Sequence, residues 1–323
     1  MKIAVFSDNK EVNHLFLSDL EQGNLLYLDF QKDNNSSKIY LKKSFWSSEV
    51  SINESLSKNQ ITTLISFKSS FPKLKKEDAA IQKVLYFLDV SFLQFPQYFS
   101  FFEKRRLKKQ YQKSISEATE IITISQFAKE IIVQFFNVNT SKIRVEIPVS
   151  VSEKFSENYQ QEIREKFQLP ERFIVHQSQL TQKDNTFGLV KAIQNSEIPL
   201  VILGPNTKEL KKSIQFSKKN KFDKRLIYLS NLTSKEISLL YTLSDFLVYP
   251  TLYDNVGLSV LRSKMAQIPS VLGNNSGLQE LGGNSPLYVD SKNIDDVKSK
   301  ILFLWNNAAE RERRKEMDCS NPK

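Results

Sequence analysis

Short apolar runs alternate with amphipathic stretches along the chain, and that alternation predicts an α/β fold with a largely parallel sheet. In the first half, strands are expected at Ile3–Phe6, Leu25–Phe30, Ile61–Phe67, Val84–Asp89, Glu120–Ile124 and Ile143–Ile147. Each run is rich in β-branched, aromatic or leucine residues, and most end near Asp, Ser or Pro. Ser125 is placed to cap a helix whose apolar face carries Phe127, Ile131, Ile132 and Phe135. The second half repeats the pattern. Strands are expected at Phe173–His176, Leu200–Leu203, Leu226–Leu229, Phe246–Tyr249 and Ser270–Leu272, with helices at Ser234–Thr242 and Leu258–Met265. The stretch from Val149 to Pro170 is polar and strand-poor, so the domain junction is expected there. Residues 1–150 then form one Rossmann-like domain, 151–305 a second, and 306–323 a charged tail in which Arg311–Lys315 continue an exposed helix before fraying. Two such domains facing across a cleft would take ligands at the carboxyl ends of their strands.

Composition fits this picture and excludes several others. The chain has 323 residues, 46 Lys+Arg against 36 Asp+Glu, and a net charge of +10. Cys319 is the single cysteine, which excludes a disulfide scaffold and a cysteine zinc site. His14 and His176 are the only histidines, too few for a multi-histidine metal centre. The apolar stretch at the amino terminus is too short for a signal peptide, and no run approaches a membrane span, so a cytoplasmic location is expected. Glycine is scarce. Five of the 8 stand at Gly257, Gly273, Gly277, Gly282 and Gly283, with Gly188 and Gly204 also in the second half and only Gly23 in the first.

The segment Ser244 to Arg262 carries the most chemistry. A buried strand ends at Tyr249, a loop follows, and a helix starts near Gly257. A glycine there lets backbone approach a ligand, and a helix start offers unpaired N–H groups to an anion such as a diphosphate. Local physics alone leaves open an ordinary β-loop-α connection. His176 falls inside an expected strand and reads as a packed core residue, and His14 as part of an amphipathic helix.

The wider series of motifs resembles the donor-binding region of GT-B glycosyltransferases of the large family four, the retaining nucleotide-sugar enzymes. That family reads Pro-Ser, Glu-Gly-Phe-Gly-Leu-Pro-Val-Leu-Glu, Ala-Met-Ala and Pro-Val-Val. The counterparts here are Pro250-Thr251, Asp254 to Arg262, Lys264-Met265-Ala266 and Pro269-Ser270-Val271, followed by Asn274, Gly277-Leu278, Glu280-Leu281 and Leu287 to Asp290. Upstream, Phe173 to Leu180 is similar to the family's Phe-Ile-Leu-Tyr-Val-Gly-Arg-Leu strand, followed by Lys183 and Asn185. Val84 to Phe99, Glu120 to Ser125 and Lys142 to Val145 resemble the acceptor domain. The likeness spans most of residues 84–310.

The resemblance implies a nucleotide-sugar donor as co-substrate, a glycan or lipid-linked acceptor, no metal and no other cofactor. Donor-binding positions carried over are Gln179, Lys183, Asp254, Asn255, Val256, Gly257, Leu258, Ser259, Arg262 and Glu280, with Asp254 and Asp89 as catalytic positions. Several depart from the family pattern. Gln179 replaces an Arg that neutralises the diphosphate, and Asp254 replaces the first Glu on a shorter arm, where an Asx turn is the structural alternative. Arg262 replaces the second Glu, so an acceptor-only ribose contact becomes donor-only. The His-Asp pair reads Leu88-Asp89, and Ser7-Asp8-Asn9-Lys10 lacks the family's glycine-rich turn. The sequence stops near Pro322, where the family usually continues into a helix crossing back to the first domain. Two readings follow: a divergent transferase, or a transferase-like protein that binds a nucleotide, glycan or partner without turnover.

Two basic clusters stand apart. Glu103 to Lys109 follows Phe92, Phe95, Tyr98, Phe99, Phe101 and Phe102, which suits a peripheral contact with an anionic membrane or a solvated helix over a Phe-rich core. Lys208 to Arg225 reads as an exposed helix and loop. A pI near 9.3 also admits nucleic-acid binding, but no RNA or DNA motif accompanies it, and none is expected.

Overall fold

The structure is a computed structural model and describes residues 3–7, 25–27, 39–40, 56–74, 80–147, 153–179, 181–254 and 256–319. Asp8 to Lys10, His14, Gly23, Leu180 and Asn255 lie outside the described residues. The chain divides into two compact units, Met1–Val149 and Ser150–Lys323.

The first unit is built on strands β1 (Ile3–Phe6), β2 (Leu25–Tyr27), β3 (Ile39–Tyr40), β4 (Thr63–Ser66), β5 (Gln82–Tyr86), β6 (Glu120–Thr123) and β7 (Ile143–Val145). They form one parallel sheet in the order β3-β2-β1-β4-β5-β6-β7. Helices α1 (Ser91–Gln94), α2 (Phe101–Glu117) and α3 (Gln126–Phe136) accompany β5 to β7. Ser125 does cap α3, accepting from the Ala128 N–H at 3.0 Å. The buried stripe, however, runs through Ala128, Ile132 and Phe136, and Phe135 is 41% exposed. That stripe follows i, i+4, i+8 spacing, which turns Phe135 to the flank. Beneath it, Phe87 stacks on Tyr111 with ring centroids 3.8 Å apart, and Phe136 tilts against Phe87 at 5.8 Å.

The second unit carries β8 (Ile174–Gln177), β9 (Leu200–Leu203), β10 (Leu226–Leu229), β11 (Phe246–Tyr249), β12 (Ser270–Gly273) and β13 (Leu287–Val289). Its sheet is parallel, in the order β10-β9-β8-β11-β12-β13. Counted within the unit this is 3-2-1-4-5-6, the doubly wound order whose strand succession reverses between β8 and β11. The helices are α4 (Glu157–Lys166), α5 (Thr186–Ala192), α6 (Lys208–Lys219), α7 (Ser234–Thr242), α8 (Leu258–Met265), α9 (Ser276–Gly282), α10 (Ile294–Asn306) and α11 (Ala308–Cys319). Strand residues Leu200, Val201, Phe246, Leu247, Val248 and Val271 are fully buried, as a parallel sheet covered by helices requires.

The charged carboxyl-terminal segment is helical over Arg311–Lys315 as expected, but the helix, α11, runs over Ala308–Cys319 and is not exposed throughout, because its charges neutralise one another and find carbonyls. Arg314 is only 8% exposed, pairs with Glu310 at 2.8 Å and donates to the Ser285 carbonyl. Arg313 and then Arg314 hold the Glu310 carboxyl down to about 2. Lys264 of α8 reaches Asp318 at 3.5 Å, joining this helix to the one that follows β11.

Candidate functional site

The loops leaving β8, β11 and β13 meet at the switch point of the second sheet. Asn185 holds them together from a left-handed backbone (φ 56°), where asparagine is tolerated. Its Nδ2 donates to the carbonyls of Pro250 at 3.1 Å and Ser291 at 2.6 Å. The Lys183 carbonyl accepts from the Leu252 N–H at 2.7 Å and the Thr251 hydroxyl at 2.9 Å. The turn bearing Lys183 is fixed in turn by Asp184, 1% exposed, which accepts from the Thr181 amide and hydroxyl. Lys183 itself is half-buried, with its ammonium 5.2 Å from the centre of the Tyr253 ring and no carboxylate partner among the described residues.

His176 lies beneath these loops and is fully buried. Its Nδ1 is 2.9 Å from the Val248 carbonyl, which only accepts, so the proton sits on Nδ1 and Nε2 accepts from the Thr186 hydroxyl at 2.9 Å. Burial lowers its pKa, which keeps the ring neutral. It braces β8 against β11.

Asp254 is 8% exposed and seated on its own loop. Its carboxylate accepts from the Tyr249 hydroxyl at 3.0 Å, the Val256 N–H at 2.9 Å and the Gly257 N–H at 3.1 Å. Burial and then this neighbouring charge push the Tyr249 phenol well above its usual range. The start of α8 was expected to offer amides to an anion, but a carboxylate of the chain already occupies the amides that precede it. Gly257 makes the entry, with φ 60° and a Cβ position only 2.4 Å from Leu281 Cδ1.

Other expected positions divide. Ser259 is buried and donates to the Gln177 carbonyl at 2.9 Å, so it pins α8 to the end of β8. Arg262, 8% exposed, donates from Nη1 to Gln177 Oε1 at 2.9 Å. Val256 and Leu258 are half-buried, Gln179 is exposed and Glu280 is exposed on α9. Asp89, in the first unit, accepts from the Ser91 N–H at 2.8 Å and so opens α1. Sequence reasoning passed over Gln177, Tyr241, Tyr249 and Asp184. The one available signal was the polar run His176-Gln177-Ser178 closing an otherwise apolar strand.

Above the carboxyl ends of β8, β9 and β10 opens a cleft of about 200 Å³. It is lined by Gln177, the Leu203–Pro205 turn, the Leu229–Leu232 turn and Ile237 of α7. An apolar wall with few polar groups is the form of a small-ligand site.

Residues 159–318 match the family described as glycosyl transferases group 1. The O-antigen chain mannosyltransferase B of Escherichia coli is 24% identical over 226 residues, 67% of this chain and 59% of the relative. The chain thus spans well under two thirds of that protein. Among solved structures, HepE of Anabaena in complex with UDP and glucose has a TM-score of 0.75 at 12% identity, covering 98% of this chain and 93% of that one. WaaG, a glycosyltransferase involved in lipopolysaccharide biosynthesis, gives 0.71 at 11%, covering 98% and 94%. The chain therefore has the GT-B fold, and its residues 159–318 are similar to the group 1 glycosyl transferases.

Proposed function

We propose that the chain transfers a sugar from a nucleotide-sugar to a glycan or lipid-linked acceptor, with retention and without a metal. The carrying observation is Lys183. It brings an ammonium with no carboxylate partner among the described residues to the switch point, on a loop hydrogen-bonded to the one that bears Asp254. A nucleoside diphosphate leaves as an anion, and a fixed cation stabilises that charge as it develops. The mannosyl relatives and the UDP-bound structural neighbour make UDP- and GDP-sugars the donors to test. Calorimetry should detect UDP or GDP, and Lys183→Ala should weaken it about tenfold, the scale of one charge-assisted hydrogen bond, with the melting temperature unchanged. Absence of binding by the unaltered chain to UDP, GDP and their sugars would refute the donor site.

A second reading, binding without turnover, draws on Asp254, whose carboxylate is engaged by two amides of its own loop and by the Tyr249 hydroxyl at the end of β11. Release of UDP or GDP from the sugar nucleotide in the presence of acceptor separates the two.

The acceptor side carries a membrane contact in this proposal. Phe101 and Phe102 at the start of α2 are 66% and 83% exposed, and Tyr98 is 44% exposed. Arg105, Arg106, Lys108 and Lys109 are exposed on the same helix, whereas Phe92 is buried in the core. Exposed aromatics beside cations suit an anionic interface. The chain should sediment with anionic vesicles in a salt-sensitive way, and Phe101→Ser with Phe102→Ser should reduce binding at least tenfold. Equal binding to neutral vesicles would remove the electrostatic part.

A further inference from the structure

Gln177 is the last residue of β8 and forms one end of the 200 Å³ cleft. Arg262 Nη1 lies 2.9 Å from one atom of its carboxamide. A guanidinium only donates, so that atom must be the oxygen. The hydroxyl of Tyr241, fully buried on α7, donates to the same oxygen at 2.8 Å. Both lone pairs of Oε1 are thereby used, and the amide cannot flip without opposing a donor to Arg262. The remaining polar group is Nε2, with two N–H donors and no partner among the described residues. Ser259 fixes the backbone end of the same residue through the Gln177 carbonyl.

We infer that Gln177 is a donor-reading residue: its locked amide gives N–H groups to a neutral oxygen acceptor of the nucleotide, either a ribose hydroxyl or a base carbonyl. Arg262 and Tyr241 are positioning residues that act through it. The inference rests on the proposed nucleotide site in the second unit. It also accounts for a donor-only side chain at the position of Arg262. Arg262 contacts Gln177, and Gln177 presents hydrogens where an acid would present lone pairs. A ribose hydroxyl accepts as readily as it donates, so the ligand class is kept while the polarity of the contact reverses.

The test is calorimetry of the full chain with UDP, GDP and the 2′,3′-dideoxy form of whichever binds. Gln177→Leu should weaken binding about tenfold. Gln177→Glu keeps an oxygen for Arg262 and Tyr241 but has no N–H, so it should hold the melting temperature and still lose at least as much affinity. Arg262→Met should weaken binding alone and add little in the Gln177→Leu background, because a positioning residue acts only through the group it positions. A ribose contact makes the dideoxy nucleotide insensitive to Gln177→Leu, and a base contact makes both nucleotides lose equally. Unchanged affinity in both Gln177 variants, with binding by the unaltered chain intact, overturns this assignment alone. No binding by the unaltered chain overturns the nucleotide site and this assignment with it.

Discussion

Asp254→Ala should lower the melting temperature by roughly 5–15 °C and reduce sugar-nucleotide turnover below detection. Removing the carboxylate leaves the Tyr249 hydroxyl and the Val256 and Gly257 amides without their acceptor. Tyr249 is 5% exposed, so water cannot fully replace the lost bond. Unsatisfied groups of this kind cost about 2–4 kcal/mol in sum, after allowing for the relief of a desolvated charge. For a unit of this size each kcal/mol is worth roughly 2–4 °C. Stability loss alone would therefore hide any role in chemistry, and Asp254→Asn is the decisive companion. It preserves volume and one acceptor oxygen, so most of the melting temperature should return. Turnover that stays at least tenfold down, with UDP or GDP affinity retained, assigns the negative charge to the reacting sugar. Full turnover in the Asn variant would confine Asp254 to holding the loop, and lack of turnover in the unaltered chain would favour binding alone.

The fold was legible because parallel strands buried on both faces read as unbroken apolar runs. Leu200–Leu203 and Phe246–Tyr249 have the same bounds in sequence and structure. Ile39–Tyr40, two residues in a polar stretch, gave no such signal. The burial of Arg314 on α11 was missed because charge reads as exposure, and nothing local says that Arg314 will find the Ser285 carbonyl. The site was legible as an ordered series of motifs and illegible as contacts. Asp254 takes its ligands from its own loop and from Tyr249, a geometry set by how the loop folds back. The Gln177 cluster joins residues 64 and 85 positions apart, so no window of sequence contains it. Arg262 looked like a lost contact because Gln177, which it touches, stands 85 positions away. What a residue replaced was visible in the sequence, but what it now touches was not.

The position of these loops, as distinct from their charges, is exposed by Gly273→Ala. Gly273 closes β12, and a Cβ there would stand 2.3 Å from the Thr251 carbonyl oxygen and 2.6 Å from Ser291 Oγ. These two atoms are themselves hydrogen-bonded at 2.9 Å. Because the nearer obstacle is backbone, relief requires the Thr251 segment to move. Thr251 is fully buried, and its hydroxyl reaches the carbonyls of Lys183 and Tyr253, both at 2.9 Å. Leu252 donates to the same Lys183 carbonyl at 2.7 Å. A shift at Thr251 is therefore transmitted to the turn that carries Lys183 and to the approach to Asp254. Overpacking of this severity costs about 3 kcal/mol, or roughly 6–12 °C in melting temperature. UDP or GDP affinity should fall at least tenfold as well, since a displacement on the order of 1 Å spoils a positioned cation. Lys183→Ala should lose affinity with no change in melting temperature, whereas Gly273→Ala should lose both together. Unchanged melting temperature and affinity in Gly273→Ala would mean that the β11 and β12 loops give way independently, and that Lys183 is not held in register by Thr251.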